Sequence, residues 1–500
     1  MNDMKKLIKR YVLNLVVLLA TVFSLAGCEK FLEENMKNAA SPDKFYTSEA
    51  EAQAAVNGVY AVLYDIFSNP EFFFAAEGST DLMVMITERN VNGNFGYSPV
   101  APGVGQEVWK HGFKGVMYAN NTISGIKKSA LSAEIKDKLV AEATTLRSLY
   151  YYILTNTFSD VPYWSEGLQS EDDVNQVIAL PRSDADSIRS VLMEELEEYA
   201  PYLLEKAEGA NIGRITQGFA YGLLARLALT NRNWEKARWA AEQVVNLATD
   251  KGIYTLVDYS DIYKIENNKE SIFEIQYSYS VTGLQRAHQI YNWCLPTPKD
   301  GSKYNGVDLG ASSATPYGAV RPTKRLESYY SDIDRRKAHV LASEYNGQEF
   351  NRFRSSGRYW LGPKFWDIYA NNIASGRNLI FMRYADILLM MAEASIELEE
   401  LGDAKYYMDL VRNRANIGGV SLTDQSTMRE ELRKERGREL AGEFTRKWDI
   451  VRWGIFYESI KSVAEDYAAA AENVRPHNMY YPIPSLEIMK NPALRQNNGY

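Results

Sequence analysis

The sequence predicts an all-α protein: a tetratricopeptide-like helical-repeat scaffold with long, irregular, aromatic-rich loop insertions and a few short strands. Apolar residues recur with helical period from Arg383 to Leu398. A second helix follows, with Ala404, Met408 and Val411 on one face. Small residues at such spacing let two helices approach closely, which is typical of a tetratricopeptide-like unit. We expect Gly402 to separate the two helices.

The same pattern recurs far away in the chain. An apolar helix, QGFAYGLLARLALT, precedes a second helix that carries Ala237, Ala241 and Val244 on one face. Two such helix pairs indicate a repeat scaffold on which the other segments pack.

Two long segments lack helical period and predict the insertions. Residues 68–105 and 277–330 are rich in aromatic residues, and glycines or prolines interrupt them. Residues 345–366 carry further aromatic side chains. Loops of this length inside a compact domain are usually functional.

The remaining elements follow from apolar rhythm and capping residues. We expect one helix capped by Thr47 and another capped by Ser183. Three further helices are predicted over Gln106–Ala130, Asp137–Phe158 and Met428–Trp453, and short strands are predicted over 252–258 and 270–277.

The first residues predict export and lipidation. A positively charged start is followed by an apolar run over residues 11–25 and then by Leu25-Ala26-Gly27-Cys28. We therefore expect residues 1–27 to be a signal peptide, Cys28 to be lipidated and residues 28–46 to form a tether. The alternative is an ordinary secretory signal with a chance cysteine.

Net charge, cysteine count and the spacing of histidines argue against several classes of protein. Residues 1–27 contain four basic residues and Asp3, so their removal lowers the net charge from -8 to -11. Such an acidic chain is not expected to bind nucleic acid. Only Cys294 then remains besides Cys28, so we expect no intrachain disulfide and a buried thiol. The four histidines are dispersed and no HExxH, GxSxG or Walker motif is present, so we expect no metal ion, no cofactor and no hydrolase activity.

Charged residues are densest between Glu435 and Arg452, where arginines alternate with carboxylates at helical spacing. Paired carboxylates could act in acid–base chemistry. The alternative, which we favour, is an ion-pair network that joins helices, because adjacent arginines lower the pKa of carboxylates and do not raise it.

The order of short motifs along the chain resembles the SusD/RagB family. The matching residues are Cys28 with Phe31-Leu32, Ala143, Leu146-Arg147, Leu149-Tyr150, Ser159-Asp160-Val161-Pro162, Leu224-Ala225-Arg226, Arg383-Tyr384-Ala385-Asp386, Ala392-Glu393-Ala394, Val411-Arg412-Asn413-Arg414, Glu435-Arg436, Glu439-Leu440-Ala441-Gly442-Glu443, Trp448-Asp449-Ile450-Val451-Arg452-Trp453-Gly454, Tyr481-Pro482-Ile483-Pro484, Asn491-Pro492 and Gln496-Asn497-Asn498-Gly499-Tyr500. The family usually has glycine where this chain has Ser159.

This resemblance implies a single SusD-like domain over residues 47–500, with an N-terminal part over 47–260 and a C-terminal part over 261–500. It implies a lipid-anchored protein of the outer membrane that captures oligosaccharides for nutrient uptake and does not catalyse a reaction. The implied partner is a SusC-like TonB-dependent transporter. Glu29, Glu33 and Glu34 resemble the family's surface-export signal.

We expect the ligand to bind aromatic and polar side chains of the two long loops, because rings in irregular segments can stack on sugars. The candidate residues are Trp293, Tyr291, Asn292, Tyr304, Tyr317, Phe95, Tyr97, Asp81, Arg89 and Asn94, with Asn92 and Asp308 as further polar partners. Trp293 is the leading platform. Two alternatives stay open: the same scaffold binding oligopeptides, and an assembly scaffold without a ligand.

Overall fold

Helices supply the frame of the structure. The computed structural model describes residue 4 and residues 46–87, 90–279, 286–296, 313–342 and 359–500, together with the two-residue strands between 303 and 349, of which only the backbone is described. The α-helices are α1 Glu49–Phe67, α2 Glu71–Ala76, α3 Val104–Lys128, α4 Ala133–Phe158, α5 Glu171–Ile178, α6 Ala185–Tyr199, α7 Gln217–Thr230, α8 Trp234–Thr249, α9 Asp261–Lys264, α10 Ile290–Cys294, α11 Lys324–Tyr329, α12 Lys337–Val340, α13 Tyr384–Glu397, α14 Leu401–Arg414, α15 Gln425–Leu440, α16 Arg446–Arg452, α17 Phe456–Lys461, α18 Ala468–Asn473 and α19 Ser485–Lys490.

The strands are short and pair two by two. They are β1 Met83–Met85, β2 Ser271–Ile275, β3 Lys303–Tyr304, β4 Val307–Asp308, β5 Val320–Pro322, β6 Leu341–Ala342, β7 Glu344–Tyr345, β8 Gln348–Glu349, β9 Trp360–Leu361 and β10 Leu379–Arg383. The pairs β1–β5, β2–β10, β3–β4, β6–β9 and β7–β8 are all antiparallel. The structure confirms the predicted all-α class with a few short strands.

The two predicted helical hairpins are α7–α8 and α13–α14. Each joins its helices through three residues, and the middle one has a positive φ: 56° at Arg232 and 62° at Glu399. Gly402 therefore lies inside α14 and not in the turn, which corrects the expectation that it separates the helices. Ala237, Ala404 and Met408 are buried where the helices meet, which is where close approach requires compact side chains.

Helix starts follow the local capping chemistry, with small corrections. Ser48, and not Thr47, caps α1, and Ser48 forms a capping box with Glu51. Asp184, and not Ser183, caps α6 by accepting from Ser187 N. Neighbouring residues of similar chemistry compete for the cap, so the sequence places it within one residue.

Two further expectations were wrong. Residues 252–258 form no strand, whereas the predicted strand over 270–277 exists as β2. The helix expected over Met428–Trp453 is broken into α15 and α16, because Gly442 and Phe444 have φ values of 82° and 60°. At this break Glu77 accepts from the backbone N–H groups of Gly442, Thr445 and Arg446.

Buried arginines and carboxylates join the helices of the C-terminal half. We call Arg336, Arg383, Arg436 and the carboxylates that they contact the ion-pair core. Each arginine binds at least two acidic side chains, and the described contacts are Arg336 to Asp334, Glu435 and Glu439, Arg383 to Glu270, Glu439 and Glu443, and Arg436 to Asp386 and Asp449. The predicted ion-pair network is therefore present.

The two long loops pack against each other. Strand β1 of the first loop pairs with β5 of the second, with Val84 opposite Arg321. The hydroxyl of Thr323 donates to the carbonyl of Asp81 at 2.6 Å. This pairing brings the loops together on the scaffold.

Candidate functional site

An aromatic pair lies where the loops meet. Trp293 in α10 is half-buried, and its ring centroid lies 5.2 Å from that of Phe74 and 4.5 Å from that of Tyr317. Phe74 belongs to the first loop and is fully buried, so it supports the indole from below. Tyr317 keeps 42% of its surface exposed.

Two further exposed tyrosines come from separate parts of the chain. Tyr279 is 42% exposed and Tyr369 is 75% exposed, and their ring centroids lie 6.2 Å apart. The hydroxyl of Tyr279 donates to Asp367 Oδ1 at 2.8 Å. We call Trp293, Tyr317, Tyr279 and Tyr369 the loop surface.

Backbone hydrogen bonds tie the segments of the loop surface to one another. Tyr317 N donates to the carbonyl of Asn292 at 2.8 Å, and Thr315 N donates to that of Asn372 at 2.7 Å. Asn292 Nδ2 donates to the carbonyls of both Thr315 and Asn372. The rings of Trp293 and Tyr317 therefore stand on a rigid base, which is what a preorganised binding surface requires.

Several predicted site residues lie in the interior. Asn292 is 1% exposed, and its amide donates the two hydrogen bonds described above that hold the backbone beneath the exposed rings. Tyr291 is buried, with its ring centroid 4.4 Å from the Arg377 guanidinium. Asp81 is fully buried and its carboxylate binds Arg446 at 2.7 and 2.8 Å. These positions correct the expectation that the side chains lie at a surface, and contact with a ligand stays a prediction.

The aromatic residues of the first loop are also interior. Phe95 and Tyr97 are each 5% exposed. The hydroxyl of Tyr97 donates to the carbonyl of Asn478, and its ring stacks on Tyr481 at 4.3 Å. Asn92 is buried and its Oδ1 accepts from Val104 N. The structure therefore gives this part of the loop a packing role.

The other candidates are less defined. Asn94 is half-buried, and its Oδ1 accepts from Gly96 N at 2.9 Å. Tyr304 and Asp308 lie in β3 and β4, of which only the backbone is described. Arg89 and Cys28 lie outside the described residues. Cys294 is fully buried, as predicted, and burial raises the pKa of its thiol.

Two residues of the loop surface, Tyr279 and Tyr369, were not among the predicted site residues. Tyr279 lies in the second predicted loop, whereas Tyr369 lies outside both loops, in DIYANNIASG, a stretch rich in asparagine and without apolar rhythm. That composition was the available signal, because irregular backbone presents side chains outward.

Acid–base chemistry finds little support among the described carboxylates. Although burial alone would raise it, Arg226 and Arg436 hold the pKa of Asp386 at about 2. Burial raises the pKa of Glu77 to about 7, but this carboxylate is fully enclosed and accepts from backbone N–H groups. Within the described ranges, histidine, cysteine and carboxylate side chains form no group of three that would hold a metal ion. The described helices also include none that is long and apolar enough to cross a bilayer.

Helical hairpins that carry a preorganised aromatic surface on inserted loops define a class of repeat-scaffold binding proteins. Two family models match this chain: one described as SusD family over residues 337–500, and one described as starch-binding, associating with outer membrane, over residues 30–229. The chain belongs to the SusD family.

Relatives and solved structures agree with this assignment. The SusD-like protein P25 of Formosa agariphila is 25% identical, with 97% of this chain and 99% of the relative covered. A SusD homolog from Bacteroides thetaiotaomicron has a TM-score of 0.77 at 20% identity, covering 92% and 98% of the two chains. A laminarin-binding SusD-like protein has a TM-score of 0.73 at 22% identity, covering 91% and 100%. At these identities the solved structures establish the fold.

Proposed function

We propose that this protein captures oligosaccharides at the cell surface through its loop surface and delivers them to a SusC-like TonB-dependent transporter, without catalysis. The observation that carries the proposal is the Trp293–Tyr317 pair, which leaves ring surface accessible on a rigid base. Flat rings of this kind match the C–H faces of sugars. The described carboxylates of the ion-pair core are paired with arginine and do not offer a catalytic acid.

The comparisons support a carbohydrate as the ligand. One solved neighbour is named for laminarin binding, and another is a surface glycan-binding protein A from Bacteroides fluxus. The family model over residues 30–229 is described as starch-binding. These descriptions belong to those proteins, and for this chain they favour a glycan over a peptide.

The test is glycan binding by the full chain and by Trp293→Ala. Loss of one stacked ring costs on the order of 1–3 kcal/mol, which corresponds to roughly a five- to hundredfold loss of affinity, and we expect a loss of about tenfold or more for Trp293 because an indole offers the largest ring face. Isothermal titration against a glycan panel that includes laminarin oligosaccharides measures it. Thermal unfolding shows whether the variant stays folded.

Tyr406→Ala is the matched control, because Tyr406 lies on α14 of the repeat scaffold and is 59% exposed. It should bind glycans like the unmodified chain. Binding of oligopeptides but not glycans would favour the peptide alternative, and equal losses in both variants would remove the loop surface from the proposal.

We also propose that Cys28 carries the lipid anchor and places the protein at the outer membrane. Cys28→Ser should release the chain from the membrane fraction, because the acyl chains supply the attachment. Retention of the variant after a high-salt wash would show that another feature holds it there.

A further inference from the structure

A separate cavity has a volume of about 960 Å³ and is lined by residues 159–160, 181–182, 476–477, 479–480, 492–493 and 495–498. None of the four loop-surface residues lines it. We call it the Arg495 pocket.

Arg182 forms one wall of this pocket and holds its segments together. Its Nε donates to the carbonyl of Asp160, its Nη1 to that of Arg495, and its Nη2 to that of Phe158 and to Asn497 Oδ1. All four acceptors are neutral oxygens. A guanidinium has five N–H donors, so one on Nη1 is left.

Other polar side chains of the pocket have no partner among the described residues. Arg495 is exposed at the cavity, and its guanidinium forms neither a hydrogen bond nor an ion pair with another described residue. The Tyr480 hydroxyl and the Asn498 amide are equally uncommitted within the described chain. The side chains of Arg495, Tyr480 and Asn498 therefore line the cavity with polar groups that are available to a ligand.

The charge of the lining is positive in an acidic protein. Arg182 and Arg495 face a single carboxylate, Asp160, and its Oδ1 already accepts from Ala185 N at 3.1 Å. A guanidinium fork matches a carboxylate in a bidentate manner. The volume exceeds what a lone anion needs and suits a small oligosaccharide.

We infer that the Arg495 pocket binds an acidic saccharide, with the carboxylate of a uronic acid residue on Arg495 and the free N–H of Arg182. Tyr480 and Asn498 then contact the sugar hydroxyls. The inference concerns a second site, which is independent of the loop surface.

The test is titration of the purified full chain with tetragalacturonate, with maltotetraose as the neutral probe and acetate as the anion alone. In the Trp293→Ala variant, which removes the contribution of the loop surface, we expect tetragalacturonate to bind more tightly than either probe, and its affinity to fall with salt. Arg495→Ala should weaken that binding at least about tenfold, because a charge-assisted hydrogen-bonded pair is lost. Arg495→Glu should abolish it.

Two control variants show whether the lost affinity belongs to this pocket. Arg335→Ala removes an exposed arginine outside the pocket and should leave the affinity unchanged. Trp293→Ala should also leave tetragalacturonate binding unchanged, so failure of the loop-surface proposal is distinguishable. Unchanged tetragalacturonate affinity in a folded Arg495→Ala variant would overturn the inference. Equal affinities for tetragalacturonate and maltotetraose in the Trp293→Ala variant, in which the loop surface no longer contributes, would overturn it as well.

Discussion

The ion-pair core and the loop surface are both rich in side chains that often form functional sites. The charged side chains of the ion-pair core are paired within the protein, whereas the aromatic side chains of the loop surface remain exposed. In the ion-pair core, Arg383 and Glu439 are buried, and each has several charged protein partners. On the loop surface, Tyr317 and Tyr369 keep large exposed fractions on a base that backbone hydrogen bonds hold. Residue type alone therefore says little about function. What matters is whether the fold buries and pairs the side chain or leaves it exposed to a ligand.

The largest effect should come from breaking the ion-pair core. Arg436→Ala leaves Asp386 and Asp449 buried without this partner, which costs about 3–5 kcal/mol of unfolding free energy. Glycan affinity of the folded fraction should hardly change. Chemical denaturation and titration measure the two quantities.

The control is Arg429→Ala on the same helix. Arg429 pairs with Glu397 near the surface, where both side chains are partly exposed, so we expect a loss of no more than about 1 kcal/mol. Normal unfolding of Arg436→Ala together with lost binding would make the cluster a ligand site.

A second test concerns Lys447, a buried cation without an acidic partner in the described chain. Its Nζ lies 4.3 Å from the Tyr481 ring centroid and has no hydrogen-bond partner among described residues. Burial lowers the pKa of Lys447 from 10.5 to about 7. The unfolded chain therefore holds this proton more tightly between pH 7 and 10.5, and stability should rise with pH across that window.

Lys447→Met should then stabilise the protein at and below pH 7. The pKa difference corresponds to about 5 kcal/mol, and lost cation–π contacts offset about 2, so we expect a gain of about 3 kcal/mol. The gain should shrink as pH rises toward 10.5. Urea unfolding at pH 6, 8 and 10 measures it, and a gain that does not vary with pH would contradict the assignment.

A third test compares Asn292, which holds the backbone beneath the loop surface, with Tyr317, whose ring is exposed on that surface. Asn292→Ala removes two buried hydrogen bonds and should cost about 2 kcal/mol of stability. Tyr317→Ala should leave the melting temperature nearly unchanged and lower glycan affinity severalfold. Selective loss of binding in a fully stable Asn292→Ala would return that residue to the ligand site.

The smallest expected effect concerns the backbone of the scaffold. Ser159 has φ 64° and ψ -119°, a region that glycine adopts without strain. Ser159→Gly should therefore stabilise the protein by about 0.5–1 kcal/mol, after the greater freedom of glycine in the unfolded chain is subtracted. A lower denaturation midpoint would show that the Ser159 hydroxyl contributes more than the strain costs.

The sequence alone determined the helical hairpins, because apolar period and small residues at Ala237 and Ala404 require only local geometry and one packing partner. It also determined that the dense charges near Glu439 form ion pairs, because alternating signs at helical spacing leave few other arrangements. Capping chemistry placed the starts of α1 and α6 within a residue, whereas α4, predicted without a cap from Asp137, begins four residues earlier at Ala133.

Only the tertiary structure decided which loop side chains are exposed. Tyr291, Asn292 and Trp293 are consecutive and equally suited to a ligand, yet the first two are buried and the third is half-buried at the loop surface. Their exposure depends on Phe74 and Asn372, which the chain brings from distant segments. Irregular backbone has no period that assigns one face to the core, so long-range contacts set its orientation.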